Sequence, residues 1–154
     1  MSYANDMPTA TKVARTNAGL ASELRMQVMR LRRRLASERH PDNDLSLSAM
    51  AVLGALYRIG DLPVGELAAR ERVQPPSMTR TINCLEDGGY VTRRAHETDG
   101  RQVLVALTDL GRETLLADRD RRDAWLAVQL AELTKEERDA LRRAVPVLEK
   151  LTHS

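Results

Sequence analysis

Apolar residues recur at helical spacing in the first third of the chain. Their periodicity predicts an amphipathic helix over residues 20–39, with apolar positions at Leu20, Leu24, Val28, Leu31 and Leu35. A polar segment at residues 40–44 ends this helix. Residues 1–18 mix Ser, Asn, Thr, Asp and Pro without helical periodicity, so the sequence predicts a flexible N-terminal arm there.

Three closely spaced helices are predicted next. Ser46 or Ser48 can cap the first, which ends at Gly60. The second is short and covers residues 64–71. The third covers residues 75–87, where two prolines are tolerated in the first turn. Helices joined by such short turns are typical of a helix-turn-helix unit.

A basic hairpin is predicted directly after these helices. Strand-like runs at residues 90–95 and 102–107 are joined by a turn that contains Asp99-Gly100-Arg101. A helix-turn-helix followed at once by a hairpin with a basic tip indicates a winged helix-turn-helix, and this fold points to DNA.

Two more helices are predicted after the hairpin. Thr108 can cap a long one, and Thr134 with Glu137 forms a capping box that starts the last. Pro146 should kink the last helix or remove one of its backbone hydrogen bonds. The predicted fold class is mostly α (α+β), with a winged helix-turn-helix DNA-binding head at residues 46–108.

The helical segments on either side of this head, residues 19–45 and 109–154, are predicted to form a dimerisation region. Their apolar faces are too extensive for one small head to bury. The residues assigned to the dimer contact are Leu20, Leu24, Leu31, Leu141, Val145, Leu148 and Leu151. Hydrophobic residues make up 42% of the chain but aromatic residues only 3%, which agrees with an aliphatic core built on helices.

On the helix at residues 75–87, one face is apolar and the other polar. Met78, Ile82 and Leu85 lie at four- and three-residue spacing, so they are predicted to face inward. Hydroxyls, amides and an Arg remain on the outer arc, and such groups bond phosphates and base edges in the major groove. The recognition-helix residues predicted to contact DNA are Gln74, Ser77, Thr79, Arg80 and Asn83. The alternative is a solvated polar face.

The hairpin carries a second set of candidate DNA contacts, Arg93, Arg94, Asp99 and Arg101. An Arg at a hairpin tip can enter the narrow minor groove, where the negative potential is enhanced. The Asp99 carboxylate is predicted to hold the Arg101 guanidinium in one orientation. The alternative is an ordinary Asp-Gly turn with a weak surface salt bridge.

Composition limits the other function classes. The formal net charge of +2 does not identify a DNA-binding protein, but 21 of the 24 basic residues are Arg, which suits phosphates and guanine edges better than Lys does. A GC-rich codon bias is the alternative explanation. One cysteine and no zinc-ligand spacing predict no metal site and a cytoplasmic location. No signal-peptide core or apolar run of membrane-spanning length occurs, so no membrane partner is expected.

Three histidines and two charged segments are interpreted as solvated rather than functional. They are His40, His96, His153, the run Arg32-Arg33-Arg34 and the alternating charges at residues 118–123. No serine-base-acid constellation and no phosphate-binding glycine loop occurs in the sequence, so we expect neither enzyme activity nor a cofactor.

A series of short motifs follows one order along the middle of the chain: Leu67-Ala68, Thr79-Arg80, Asn83, Leu85-Glu86, Gly89-Tyr90-Val91, Arg93, Asp99-Gly100-Arg101, Leu107-Thr108 and Gly111. Together they resemble the MarR (multiple antibiotic resistance regulator) family of winged-helix transcription regulators. With the flanking helices, the resemblance covers about residues 20–151. It implies a homodimer with interleaved terminal helices that binds a pseudo-palindromic operator in double-stranded DNA. It also implies repression that is relieved when a small phenolic, aromatic or lipophilic effector binds between head and dimer helices.

Cys84 departs from the family pattern. Its position on the recognition helix is often basic in similar proteins, so one phosphate contact is expected to be missing. Members of the family that sense oxidants use a cysteine near the first helix, which this chain lacks. Peroxide sensing is therefore not expected, and Cys84 is interpreted as a small packing residue.

Two functions from different classes remain open. The leading one is a homodimeric, sequence-specific DNA-binding repressor released by a small ligand. The other is a winged-helix protein-interaction module without ligand sensing, whose basic wing grips an acidic partner. The polar recognition face favours DNA, because a protein-docking version would present exposed apolar residues there.

Overall fold

The computed structural model describes residues 15–152, which contain six helices and three strands. These residues separate into two units by their contacts, residues 15–38 and residues 39–152. None of the helices in the described segment is long and apolar enough to cross a membrane.

The first unit is the helix α1, Asn17–Ser37. It begins three residues before the predicted start at Leu20, because the Thr16 hydroxyl accepts a hydrogen bond from Gly19 N at 3.0 Å and caps the helix. The predicted arm at residues 1–18 was therefore drawn too long, and residues 1–14 lie outside the described segment. Helix α1 contains no buried residue.

The second unit begins with the three predicted helices, α2 (Leu47–Ile59), α3 (Val64–Glu71) and α4 (Pro75–Asp87). Of the two predicted caps for α2, Ser46 is used, and its hydroxyl accepts from Ala49 N at 3.1 Å. The bounds of α3 and α4 agree with the prediction, because Pro63 and Gln74-Pro75 mark the two starts clearly. Between α3 and α4, Arg72 adopts a left-handed conformation, with φ 54°, that turns the chain.

A small antiparallel sheet completes the head. Strands β2 (Val91–Ala95) and β3 (Val103–Leu107) form the predicted hairpin, and β1 (Leu62–Pro63) adds to the other edge of β3 in the order β1-β3-β2. The sequence pattern gives no sign of β1, which lies in the turn expected between α2 and α3. Two residues are too few to show an alternating pattern, and a proline is tolerated only in an edge strand such as this one.

The core of the second unit lies between the three helices and the sheet. Its fully buried side chains include Leu53, Leu67, Ile82, Leu85 and Val105. These residues come from α2, α3, α4 and β3. Leu62 of β1 and Val91 of β2 join them, so every element of the head contributes to one apolar core.

Helices α5 (Asp109–Ala131) and α6 (Lys135–Thr152) follow the head. Thr108 caps α5 by accepting from Gly111 N at 3.1 Å, and its hydroxyl donates to Gly89 O at 2.6 Å. The capping box at α6 is confirmed: Glu137 N donates to the Thr134 hydroxyl at 3.2 Å, and Thr134 N donates to a Glu137 carboxylate oxygen at 2.8 Å. Helix α6 continues through Pro146, which has no N–H to donate.

The junction between the head and α5 requires a glycine. A Cβ atom at position 111 would collide with the carbonyl oxygen of Tyr90 and with the Leu107 side chain. Gly111 therefore allows α5 to leave the wing in close contact with the chain that follows α4.

Asp118 corrects the prediction of a solvated face at residues 118–123, because it is fully buried. Its carboxylate accepts from His40 N at 3.0 Å and from the Asn43 side-chain amide at 2.8 Å. Arg39 and Arg122 lie 3.8 Å and 3.7 Å away and balance its charge. Asp118 thus fixes the segment that leads into α2 onto the middle of α5.

Candidate nucleic-acid interface

The recognition helix α4 has the two faces that the sequence predicts. Met78, Ile82 and Leu85 are buried in the core. The polar residues assigned to DNA, from the N-cap Gln74 through Ser77, Thr79, Arg80 and Asn83, are all exposed. The outer arc therefore offers polar groups and no large apolar side chain to a partner.

The free hydrogen-bonding groups on this arc differ between residues. The Thr79 hydroxyl donates to Pro75 O at 3.0 Å, so toward a ligand it presents acceptor lone pairs and a methyl group. The Arg80 guanidinium is exposed and has no carboxylate partner among residues 15–152. Arg80 is thus available for a phosphate or a guanine edge.

Asn83 is joined to the wing by Arg93. The Arg93 Nη2 atom donates to Asn83 Oδ1 at 2.6 Å, and Nη1 of the same side chain forms an ion pair with Glu86. Glu86 also accepts from Arg93 N at 3.3 Å. Hydrogen bonds and an ion pair therefore join strand β2 to α4. The side-chain carbonyl of Asn83 already accepts one hydrogen bond from a charged donor.

Arg94 is held on the opposite side of β2 from Arg93. Its Nε atom donates to Asp61 Oδ2 at 2.5 Å, and Glu97 lies 4.0 Å from Nη1. The two arginines that precede the wing tip are thus both ion-paired. Their predicted contact with DNA would have to compete with these carboxylates.

The wing tip departs from the predicted role of Asp99. Its carboxylate accepts from the backbone N of Arg101 at 3.2 Å rather than from the guanidinium. An Asp two residues before a backbone amide commonly makes such a local turn, so this contact agrees better with the alternative of an ordinary Asp-Gly turn than with a clamp on the guanidinium. The Arg101 side chain is exposed and has no carboxylate partner in the described segment.

His96 was interpreted as solvated, but it organises the same tip. Its Nδ1 atom accepts from the backbone amides of Thr98 and Asp99, each at 3.2 Å. The backbone N–H of His96 donates to Gln102 O at 2.9 Å. The tip is therefore a hydrogen-bonded turn that presents the Arg101 side chain.

Cys84 is exposed, so the expectation of a packing role is wrong. It follows Asn83 on the outer arc of α4. A position next to the apolar residue Leu85 does not decide which face a residue occupies, because successive residues turn by about 100° around a helix.

The residues assigned to dimerisation lie on two helices without a buried face. Leu20 and Leu31 of α1 are exposed, whereas Leu24 is partly buried. On α6, Leu141 and Leu148 are 47% and 39% exposed, and Val145 and Leu151 are 63% and 60% exposed. Neither helix contains a buried residue.

A cleft of about 320 Å³ lies between the segment before α2, the residue before β2 and the first half of α5. Its lining residues are His40, Asp42, Asn43, Tyr90, Leu110, Glu113, Thr114 and Ala117. The cleft adjoins two contacts that hold the head against α5, here called the anchors of the head. They are the close approach of Tyr90 to Gly111 and the hydrogen bond from Asn43 to Asp118. A ligand here would touch the elements that connect the head to α5.

Comparisons with known proteins agree on the family and the fold. The MarR family model matches residues 45–103. An uncharacterized HTH-type transcriptional regulator of Mycobacterium bovis is 47% identical over 133 residues, covering 86% of this chain and 92% of the relative. An uncharacterized HTH-type transcriptional regulator of Mycobacterium leprae is 45% identical over 133 residues, and the match again covers 86% of this chain and 92% of the relative.

Solved structures are similar over nearly the whole chain. A transcriptional regulator protein from Pseudomonas aeruginosa has a TM-score of 0.79 at 36% identity, over 90% of this chain and 96% of that one. A mutant of MepR from Staphylococcus aureus bound to an oligodeoxyribonucleotide has a TM-score of 0.65 at 18% identity, over 86% of this chain and 97% of that one. The latter shows similarity of fold alone.

Proposed function

The chain belongs to the MarR family of DNA-binding, helix-turn-helix transcriptional regulators, and on this premise we propose that it is a homodimeric repressor released from its operator by a small molecule. The observation that carries the proposal is the pair of exposed guanidiniums of Arg80 and Arg101, for which residues 15–152 supply no carboxylate partner. One belongs to the recognition helix and the other to the wing tip. They suit contact with two different parts of the same duplex.

We assign sequence reading to α4. Thr79, Arg80 and Asn83 face the major groove, and Gln74 and Ser77 contact the backbone at the start of the helix. Because Arg93 already occupies the Asn83 carbonyl, Asn83 acts mainly as a donor through its amide N–H groups. It then favours acceptors such as guanine N7 and O6 or thymine O4 over the paired donor and acceptor of adenine.

The wing supplies contacts that depend less on sequence. Arg101 enters the minor groove, where it senses groove width and potential. Arg93 and Arg94 reach phosphates from the flanks of the wing. Their ion pairs with Glu86 and Asp61 are partly exposed, so exchanging a carboxylate for a phosphate costs little.

Dimerisation through α1 and α6 is the second part of the proposal. The exposed apolar side chains of these helices support it, since single chains rarely leave such continuous faces in water. A two-fold dimer places two heads on half-sites whose centres are about 10 base pairs apart, one turn of the duplex.

The third part concerns release by a ligand. The cleft beside Tyr90 and Asp118 adjoins both anchors of the head, so a ligand there can favour a head position that does not match the operator. A tenfold loss of operator affinity requires about 1.4 kcal/mol of preference for that position. The proposed site of action is the cytoplasm, where the operator is.

The protein-interaction alternative has no observation in its favour, because the outer arc of α4 carries polar and not large apolar residues. We therefore retain the DNA-binding repressor as the proposed function.

The experiment is selection of genomic fragments by the purified protein, followed by fluorescence anisotropy on the selected fragment. Arg80→Ala and Arg101→Ala should each weaken binding by about tenfold, since each removes about 1 to 3 kcal/mol of contact. Arg121→Ala removes an exposed arginine of α5 and is the matched control. Equal affinity for all three variants and the unmodified chain would contradict the interface.

A further inference from the structure

The charge of the cleft defines the class of ligand that fits it. We infer that the cleft selects lipophilic cations, such as an ammonium group on an aromatic body, over the corresponding anions. This inference rests on the proposed role of the cleft as effector site. It departs from the phenolic ligands that family resemblance suggests.

Two carboxylates line the cleft, and neither forms an ion pair with a Lys or Arg of the described segment. Glu113 is exposed on α5 and forms no ion pair with any residue from 15 to 152. Within the same segment, Asp42 faces the ring of His40, whose Nδ1 atom lies 3.6 Å from its carboxylate. A ligand that enters the cleft therefore meets two carboxylates that no Lys or Arg of residues 15–152 holds.

The ring of His40 is hydrogen-bonded to the backbone and not to the Asp42 carboxylate. Its Nδ1 atom accepts a hydrogen bond from Asp42 N at 3.2 Å. The 3.6 Å separation from Asp42 Oδ2 is too long for a hydrogen bond. The Asp42 carboxylate therefore keeps its acceptor oxygens for a ligand.

Most of the other polar donors at the cleft are already used. The Asn43 amide group contacts Asp118 Oδ2 at 2.8 Å and Met50 Sδ at 3.4 Å, and Asn43 Oδ1 accepts from Leu45 N at 3.0 Å. The Thr114 hydroxyl donates to Leu110 O at 2.8 Å. The groups left for a ligand are mainly acceptors, which suit a ligand that donates.

The walls of the cleft suit the apolar part of such a ligand. The Tyr90 ring, Leu110 and Ala117 provide apolar surface, and an aromatic face also attracts a cation. The volume of about 320 Å³ lies at the small end of the range for ligand sites. A single aromatic ring with a short ammonium arm matches this size and these groups.

Calorimetry on the full chain without DNA tests the inference with three probes of one shape: phenethylammonium, hydrocinnamate and the neutral hydrocinnamamide. The cation should bind at least about tenfold more tightly than the anion, with the amide between them, because the two carboxylates attract one and repel the other. Equal or tighter binding of hydrocinnamate would overturn the inference, as would failure of all three probes to bind at millimolar concentration.

Substitutions locate the effect. Glu113→Gln and Asp42→Asn should each weaken phenethylammonium by about threefold, a modest change because both groups are exposed, and leave hydrocinnamamide unchanged. Asp120→Asn removes an exposed carboxylate of the same helix outside the cleft and should change neither probe. If Asp120→Asn weakens phenethylammonium binding as much as Glu113→Gln does, binding reflects the net charge of the protein, and the cleft is excluded as the cation site.

Operator affinity, measured separately by anisotropy, distinguishes this inference from the proposed function. If the protein binds the cation but retains no DNA, the inference of a cation-selective cleft stands and the proposed repressor function is overturned. If the protein binds DNA but not the cation, the inference about the cleft is overturned and the DNA-binding part of the proposed function stands.

Discussion

The head and the last helix use apolar residues in opposite ways. In the head, Leu53, Leu67 and Ile82 are fully buried in one core. In α6, the apolar residues recur at similar helical spacing, yet none is buried. The head therefore buries its own hydrophobic pattern within one chain, whereas α6 leaves its pattern exposed, as the proposed dimer requires.

The largest expected effect comes from the core of the head. Leu53→Ala should lower the free energy of unfolding by about 2 to 5 kcal/mol, because it leaves a cavity at a fully buried site. Urea unfolding followed by circular dichroism measures it. Leu47→Ala, at a residue of α2 that is 65% exposed, is the control and should change stability by less than about 0.5 kcal/mol. Similar losses for both would remove the contrast between core and surface.

Next comes the apolar face of α6. Leu148→Glu should raise the dissociation constant of the dimer by about a hundredfold, or about 2.7 kcal/mol, because a carboxylate would enter an apolar contact. Sedimentation gives the constant, and circular dichroism should show a folded head. A monodisperse monomer of the unmodified chain at micromolar concentration would refute the dimer.

The buried carboxylate of Asp118 joins the segment before α2 to helix α5. Asp118→Ala should cost about 2 kcal/mol of stability, since it leaves His40 N and the Asn43 amide without their acceptor and removes the carboxylate that faces two arginines. Both arginines are about a quarter exposed, so water limits the loss. Thermal unfolding of Asp118→Ala beside Asp120→Ala checks this, and equal midpoints would contradict the anchoring role.

Within the head, the helix and the wing should differ in specificity. Asn83→Ala should relax preference at one base pair by about 1 to 3 kcal/mol, whereas Arg101→Ala should weaken all operator variants nearly evenly. Anisotropy against a set of single-base operator changes separates the two patterns. A loss confined to one base pair for Arg101→Ala would contradict its minor-groove assignment.

The sequence predicts the local elements well where a strong chain signal marks them. Prolines mark the starts of α3 and α4, and hydroxyl caps mark the starts of α5 and α6. The start of α1 was misplaced because Thr16 caps a stretch with no apolar periodicity. Local capping therefore decides a boundary that hydrophobic spacing alone does not.

The candidate site was harder to predict, because its contacts join distant parts of the chain. Asp118 binds His40 and Asn43, which lie 78 and 75 positions before it in the chain. The alternating charge pattern gave no sign of these contacts. The link between Asn83 and Arg93 likewise requires the strand and helix to pack first. The backbone contacts of His96 and Asp99 were not predicted for another reason, since hydrogen bonds from side chains to backbone amides leave no mark in hydrophobic spacing.

Hydroxyl-radical footprinting of the selected fragment tests the central claim most directly. A two-fold dimer with one α4 and one wing per half-site predicts two protected regions related by symmetry, with centres about 10 base pairs apart. Arg101→Ala should lose protection at the outer minor-groove positions and retain it at the centre of each half-site. A single unsymmetrical footprint, or no protection at saturating protein, would contradict a dimeric DNA-binding repressor.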